Sequence, residues 1–441
     1  MRLEDTDIER NRPEYEHNIY DGLRWLGLNW DEGPDIGGDH GPYRQSERKA
    51  IYKKHLEILY EADTVYSCFC TSEELDQERK TQQKQKLPLR YSGRCAKLSP
   101  EERRKKLDQG LKHTIRFRMP RRIIKFHDLI RGDVEFDCST IGDFVIVKPN
   151  GDFIFHFTNI VDDITMDITH VIRGEDHLSN TPKHIALGQA LGFAPRQYAH
   201  IPLTLNPDRS KMSKRKSQTA ISDFEKQGYI PEAMVNFLAL LGWSPGTDEE
   251  AFSIDELCQK FSIEAMGKTN AIFNIDKLDW FNGYYLRKMP LEELERKVLP
   301  YMSEGIDRDY FRKVLPLVQE RLKRYDEIQE KTNFFFSDKL EYDTKLIIAK
   351  KHTAPESKAA LKQVREKLAA LDDFSAANIE KLLRKQVEQL GWKTGHLFMI
   401  VRVALTGSAA TPPLCESMEL LGCPRCLNRL DMAIEKLEEI D

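Results

Sequence analysis

Lys211, Met212, Ser213, Lys214 and Arg215 put three fixed positive charges and a hydroxyl into five consecutive residues. Pro207-Asp208-Arg209-Ser210 before them has the composition of a turn, and the run Pro231 to Leu241 after them reads as a helix. The cluster is therefore expected on a mobile loop. Ammonium groups on flexible stems, with a hydroxyl as a further donor, suit a triphosphate. A basic run alone also fits a solvated surface or a general polyanion patch, so its surroundings must decide.

Arg173, Glu175 and Asp176 form a second chemistry-bearing group, between a strand-like segment and a helix-like one. Phe153, Phe155 and Phe157 alternate with Ile154 and His156, and Ile164, Met166, Ile168 and Ile172 fall at even spacing, so two strands are predicted here. Gly174 ends the second. Pro182 suits a first helical turn, capped by Thr181 or Ser179. Strand, turn and helix in that order form the crossover unit of a parallel sheet, and such sheets bind ligands at the carboxyl ends of their strands. Both groups thus need a sheet to position them.

The elements around them follow the same logic. Ile19, Leu23 and Leu26, with Pro13 ahead and Gly27 behind, predict a short amphipathic helix, and Ile51 to Tyr60 resumes helical spacing. From Cys68 to about Pro149 the chain is broken by turns, with strand-like pieces at Thr114 to Arg118 and Phe144 to Lys148. After about Arg287 it becomes helical, as in Leu361, Val364, Leu368 and Leu371. A length of 441 residues implies about three domains. The formal net charge is only −4, yet Arg79 to Arg131 holds eighteen Lys and Arg against four Asp and Glu, a segment able to neutralise several phosphates. No apolar run reaches the roughly 18 residues of a membrane span and the first residues carry no signal-peptide pattern, so a cytosolic protein is expected. Eight cysteines are too sparse for a disulfide framework.

Glu4-Asp5-Thr6-Asp7, Trp25-Leu26-Gly27-Leu28, Asp31-Glu32-Gly33-Pro34, Val161-Asp162-Asp163, the run Thr169 to Asp176, Lys211 to Arg215 and the run Leu240 to Ser244 occur in this order. Together these strings resemble the bacterial-type glutamyl-tRNA synthetases of class I. The resemblance implies an α/β fold with a Rossmann-like parallel-sheet catalytic domain in two parts (residues 1–64 and 150–195) around an inserted α+β acceptor-binding module (65–149). A stem-contact region with the lysine loop (196–287) and an all-α anticodon-binding domain (288–441) would follow.

The resemblance also implies substrates and site residues. ATP with Mg²⁺, L-glutamate and tRNA(Glu) are the expected partners of a monomeric, cytoplasmic enzyme, with tRNA(Gln) left open as a further substrate. Asp176, Thr204, Lys211, Met212, Ser213, Lys214 and Arg215 would bind ATP, with Lys211 and Lys214 following the leaving pyrophosphate. Glu4 would meet the substrate ammonium group, and Phe155, His156, Phe157, Thr158, Asn159 and Arg173 the rest of glutamate. Phe155 stands where the family more often has tyrosine, which removes one hydroxyl donor. Cys68, Cys70, Tyr91 and Cys95 resemble a zinc site that some members carry, with Lys97 where a histidine ligand is often found. Cys415, Cys423 and Cys426 are a weaker second metal candidate.

The first class I signature, His-Ile-Gly-His or a close variant, precedes the acidic string in the family and is not found in this sequence. Severely reduced aminoacylation is the corresponding expectation for the chain as written. Two alternatives stay open: a catalytically silent tRNA-binding paralogue, and an enzyme like the glutamyl-queuosine-tRNA synthetases, which resemble the catalytic half alone.

Overall fold

The computed structural model describes residues 1–6, 13–212 and 220–439. The chain forms two compact units, one of residues 1–220 and 238–274, the other of 221–237 and 275–441.

The first unit is α/β. Its helices include α1 (Pro13–Trp25), α2 (Lys49–Glu61), α3 (Ser72–Lys84), α4 (Pro100–Asp108), α5 (Phe155–Thr165) and α6 (Thr181–Ala190). A three-stranded antiparallel sheet takes the order β1 (Val65–Cys68), β2 (Thr114–Phe117), β5 (Phe144–Val147). A four-stranded sheet takes the order β4 (Gly132–Asp137), β3 (Ile123–Asp128), β7 (Gln197–Ile201), β6 (His170–Gly174). In it β3 and β7 are parallel, as are β7 and β6, while β4 returns antiparallel on β3. The two-residue strands β8 (Thr204–Leu205) and β9 (Ala271–Ile272) pair in parallel. The β6-turn-α6-β7 crossover expected around Gly174 is present.

The predicted strand at Phe153 to Phe157 is instead the entry and first turn of α5. Phe157, Ile160, Val161 and Ile164 keep helical spacing and are all buried, and Phe153 stacks on Phe157 at 5.3 Å across the helix start. Helical geometry rotates Phe155 about 200° from Phe157, so one aromatic enters the core while the other stays at the surface of a cleft. The second predicted strand shrinks to His170–Gly174, because Ile164 belongs to α5. Neither proposed cap of α6 is used: Asn180 occupies the N-cap without a side-chain bond, and Thr181 is the first helical residue. The Thr181 hydroxyl is occupied by Arg173 and His200, and its N–H is already bonded to the Leu178 carbonyl of the preceding 3-10 turn.

The second unit is helical. In the helix Ile275–Lys288, the fully buried Asn282 accepts from the Ile230 amide at 2.8 Å and donates to the Lys323 carbonyl. Arg429, 1% exposed, donates to the Leu405, Phe334 and Ser337 carbonyls and so satisfies acceptors at the C-terminal ends of the helices Thr394–Thr406 and Ile328–Phe336. No helix among the described residues is long and apolar enough to cross a membrane.

Candidate functional site

The first unit contains an open cleft of about 810 Å³ whose walls include Arg2, Glu4, Phe155, Asn159, Arg173 and His177. Leu3 bridges to the segment at Arg44 in parallel, and its amide and carbonyl bond Tyr43 and Gln45, so the residues on either side of it are fixed at the cleft edge. Asn159 of α5 donates to Glu4 Oε1 at 3.0 Å, and Arg2 bonds Glu4 at 3.2 Å and Asp163 at 2.6 Å. An acidic group with one amide neighbour and one arginine neighbour is thus held facing the cleft. Beneath it, Arg48 and Asp162, 1% and 0% exposed, pair at 2.6 Å, and Gln45 and Tyr52 complete the carboxylate's bonds.

Arg173 stands on β6, directly opposite His200 of β7. Its three donating nitrogens meet His200 Nε2 at 3.1 Å, His184 Nδ1 at 3.2 Å and the Thr181 hydroxyl at 2.8 Å. All three partners are fully or almost fully buried, and none is a carboxylate. Burial pulls the Arg173 guanidinium below its ordinary range, from a starting point so high that it stays charged. Burial, with Arg173 as the next contributor, also holds His184 well below the ordinary imidazole range, so no second cation forms beside it. A cation set among neutral acceptors at a cleft wall is suited to receive an anion.

At the carboxyl end of β6, Asp176 pairs with Lys211 at 2.8 Å, and that bond is the largest cause of its lowered carboxyl pKa. The Thr204 carbonyl accepts from the Met212 amide at 3.4 Å, and Leu205 bridges Lys211, so the lysine segment starts from the β8 edge. The expected turn before it is present: the Arg209 amide bonds the Asn206 carbonyl, and Asp208 accepts from Ser210. Ser213, Lys214 and Arg215 lie outside the described residues.

The comparisons with known proteins agree over both halves of the chain. Residues 1–280 match the family described as tRNA synthetases class I (E and Q), catalytic domain, and residues 293–434 match an anticodon binding domain. A glutamate–tRNA ligase 2 of Caldicellulosiruptor saccharolyticus is 42% identical over 99% of this chain and 92% of its own length. A glutamate–tRNA ligase of Dehalococcoides mccartyi is 44% identical over 100% of this chain and 91% of its own. The chain belongs to the class I glutamate–tRNA ligase family. A crystal structure of the glutamate tRNA ligase of Elizabethkingia meningosepticum, solved in complex with its amino acid, superposes with a TM-score of 0.84 at 34% identity, covering 99% of this chain and 92% of that one.

Of the residues expected from the resemblance to glutamate–tRNA ligases, Glu4, Phe155, Asn159 and Arg173 share the cleft. Phe157 lies in the core with Tyr52 and Phe153, Thr158 faces Gln45, and His156 bonds His184 at 3.1 Å, so these three do not line it. Arg2, Asp163, His177, His184, His200 and Asp128 were not anticipated. Arg2 stands two residues before the first family string and Asp163 ends another, so position beside Glu4 and Asp162 was a usable signal. Asp128 and His200 are 72 residues apart and carry no local one.

In the inserted region the thiols of Cys68, Cys70 and Cys95 lie within 4.8 Å of one another, and the Tyr91 hydroxyl is 3.4 Å from Cys68 and 3.3 Å from Cys70. Hydrogen bonding from Cys95 holds the Cys68 thiol low, while Cys95 itself is pushed up. Cys415, Cys423 and Cys426 form no such group among the described residues. Helices α3 and α4 begin with capping boxes at Thr71 and Ser99 and bury no residue, so their charged side chains face solvent.

Proposed function

We propose that this chain is a glutamate–tRNA ligase that activates L-glutamate with ATP to glutamyl-adenylate and transfers it to the terminal adenosine of tRNA(Glu). The observation that carries the reading is Arg173, a half-buried cation whose bonding partners among the described residues are neutral acceptors, on a cleft that also holds Glu4 and Asn159. In this assignment Arg173 receives the side-chain carboxylate of glutamate, and a neutral glutamine side chain leaves the guanidinium without an anion. Glu4, oriented by Asn159, accepts the substrate ammonium group. The α-carboxylate attacks the α-phosphorus of ATP in line, the bond to the bridging oxygen breaks, and pyrophosphate leaves; Mg²⁺, when bound, would supply further charge neutralisation. Positioning and cations accelerate this step more than any protein nucleophile. Lys211, tied to Asp176 and held at the Thr204 edge through the Met212 amide, exchanges that carboxylate for phosphate oxygens; Ser213, Lys214 and Arg215 follow it in sequence and add a hydroxyl and two cations to ATP binding.

The test is equilibrium binding of L-glutamate together with glutamate-dependent pyrophosphate exchange in the presence of tRNA(Glu). Binding of glutamate but not glutamine supports the reading, and equal binding of both overturns it. Parallel charging of tRNA(Gln) measures the breadth of tRNA use. The matched anticodon binding domain favours a ligase of this kind over a glutamyl-queuosine type of enzyme. Monomeric state and cytoplasmic location accompany the reading.

Zinc fits the Cys68, Cys70, Cys95 and Tyr91 donor set. Tetrahedral zinc–sulfur bonds of about 2.3 Å place sulfurs about 3.8 Å apart, close to the 3.5 Å between Cys70 and Cys95. In that position the ion would tie β1 to the turn carrying Cys95 and stabilise the inserted region without taking part in the reaction. About one zinc per chain by elemental analysis, lost in Cys70→Ser, is the expected result.

A further inference from the structure

Asp128, His200 and Arg173 stand on three adjacent strands, β3, β7 and β6. His200 Nδ1 meets Asp128 Oδ2 at 2.6 Å, and His200 Nε2 meets Arg173 Nε at 3.1 Å. A guanidinium has donors and no acceptor, so the nitrogen that meets it must offer a lone pair. That requirement fixes the proton of His200 on Nδ1, where Asp128 accepts it. On the other side of the guanidinium, His184 Nδ1 accepts from Arg173 at 3.2 Å, so its proton sits on Nε2 and is donated to His156 Nδ1 at 3.1 Å. Asp128 is itself held by the amides of Ile130, Arg131 and His200 at 3.0, 2.8 and 3.2 Å. Asp128 and His200 are 0% exposed and His184 is 1% exposed.

We propose that Asp128, His200 and His184 are positioning residues that aim the Arg173 guanidinium at the substrate carboxylate while keeping every group bonded to it neutral. A carboxylate bonded directly to Arg173 would compete with the substrate for the cation. An imidazole between them transmits the orientation set by Asp128 and withholds its charge. Burial, with Arg173 among the contributors, keeps His200 and His184 below the ordinary imidazole range, consistent with this arrangement. The inference rests on the reading that Arg173 binds the carboxylate of glutamate.

Asp128→Asn tests it at constant shape. An asparagine amide directed at His200 donates to Nδ1, which moves the imidazole proton to Nε2 and sets donor against donor at Arg173. The expected result is a Kd for L-glutamate raised tenfold or more, a Kd for ATP within about twofold of the parent, and a His200 ¹⁵N spectrum in which the protonated nitrogen changes. His184→Leu removes the second acceptor and is expected to weaken glutamate in the same selective way; it decides the matter if Asp128→Asn does not fold. Should Arg173→Gln leave glutamate binding unchanged, the reading of Arg173 falls. If Arg173→Gln weakens glutamate while the folded Asp128→Asn and His184→Leu bind it as the parent does, the positioning proposal falls and that reading stands.

Discussion

Arg48 is buried and Arg173 half-buried in the same unit, and their surroundings are opposite. Arg48 meets a carboxylate of its own chain, Asp162, at 2.6 Å, with Tyr52 and Gln45 filling the remaining acceptor positions. Arg173 meets two imidazoles and a hydroxyl. Removing an arginine from water costs several kcal/mol, and an internal anion offsets that cost in the first case. In the second the offset is left to whatever enters the cleft. The first arginine is therefore structural, and under the proposed assignment the second is poised for a ligand.

Asp162→Asn breaks the comparison most severely, because it leaves Arg48 buried without its anion. A loss of about 3–5 kcal/mol is expected in the urea-unfolding transition of the first unit. A loss below about 1 kcal/mol means that Arg48 was never compensated by that carboxylate, and the contrast with Arg173 disappears. Arg173→Gln is the converse. Its effect on unfolding is expected to stay near 1 kcal/mol, since no internal ion pair is lost, while affinity for L-glutamate falls about 100-fold, equivalent to about 2.7 kcal/mol. Comparable losses in stability and affinity would make Arg173 as structural as Arg48.

The same contrast explains what was legible in the sequence. Arg173, Glu175 and Asp176 announced themselves because a strand, a turn and a helix follow one another in the chain, and the crossover is as expected. Lys211 was legible from charge and the turn before it. The neutral cage around Arg173 was not, because the pairing of β3 with β7 joins residues 72 positions apart and no local pattern encodes it. The strand expected at Phe153 to Phe157 gives way to α5 for a physical reason. Phe153, Phe155 and Phe157 alternate as strand residues do, and only the continuation through Ile160, Val161 and Ile164 reveals the helical period that packing enforces. Thr181 was assigned to a cap since its type suits one, but the Arg173 guanidinium claims its hydroxyl.

The cage also gives the stability a pH dependence that the Arg48 pair does not explain. His156 is held down to about 4, His184 well below its ordinary value and His200 below it, burial being the largest cause in each. Above pH 6.5 these imidazoles are mostly neutral in both the folded and unfolded chains, and their contribution to stability is fully present. As pH falls below 6.5 the unfolded chain takes up protons that the folded chain refuses, so stability is lost until the folded pKa is reached, near 4 for His156. Each fully excluded imidazole contributes at most about 1.4 kcal/mol per pH unit, with less for the partly exposed His156. Thermal midpoints between pH 7 and pH 5 are expected to fall in the parent and to fall less steeply in His184→Leu. An unchanged slope in that variant would mean that His184 is not held neutral by its surroundings.

Lys211 supplies the smallest effect and the sharpest control. Its pair with Asp176 is as short as many buried ones, 2.8 Å, but the two side chains are 58% and 41% exposed. Water screens such a pair, and its contribution to folding is below about 0.5 kcal/mol. Lys211→Ala is therefore expected to leave the unfolding midpoint unchanged within error and to act on the affinity for ATP alone. Under the proposed assignment nucleotide phosphates would replace Asp176 at little cost, because water already solvates both partners; Arg48 could not be released from Asp162 in this way. A clear loss of stability in Lys211→Ala would place this pair with Arg48 and Asp162, as a structural bond instead of one made to be exchanged.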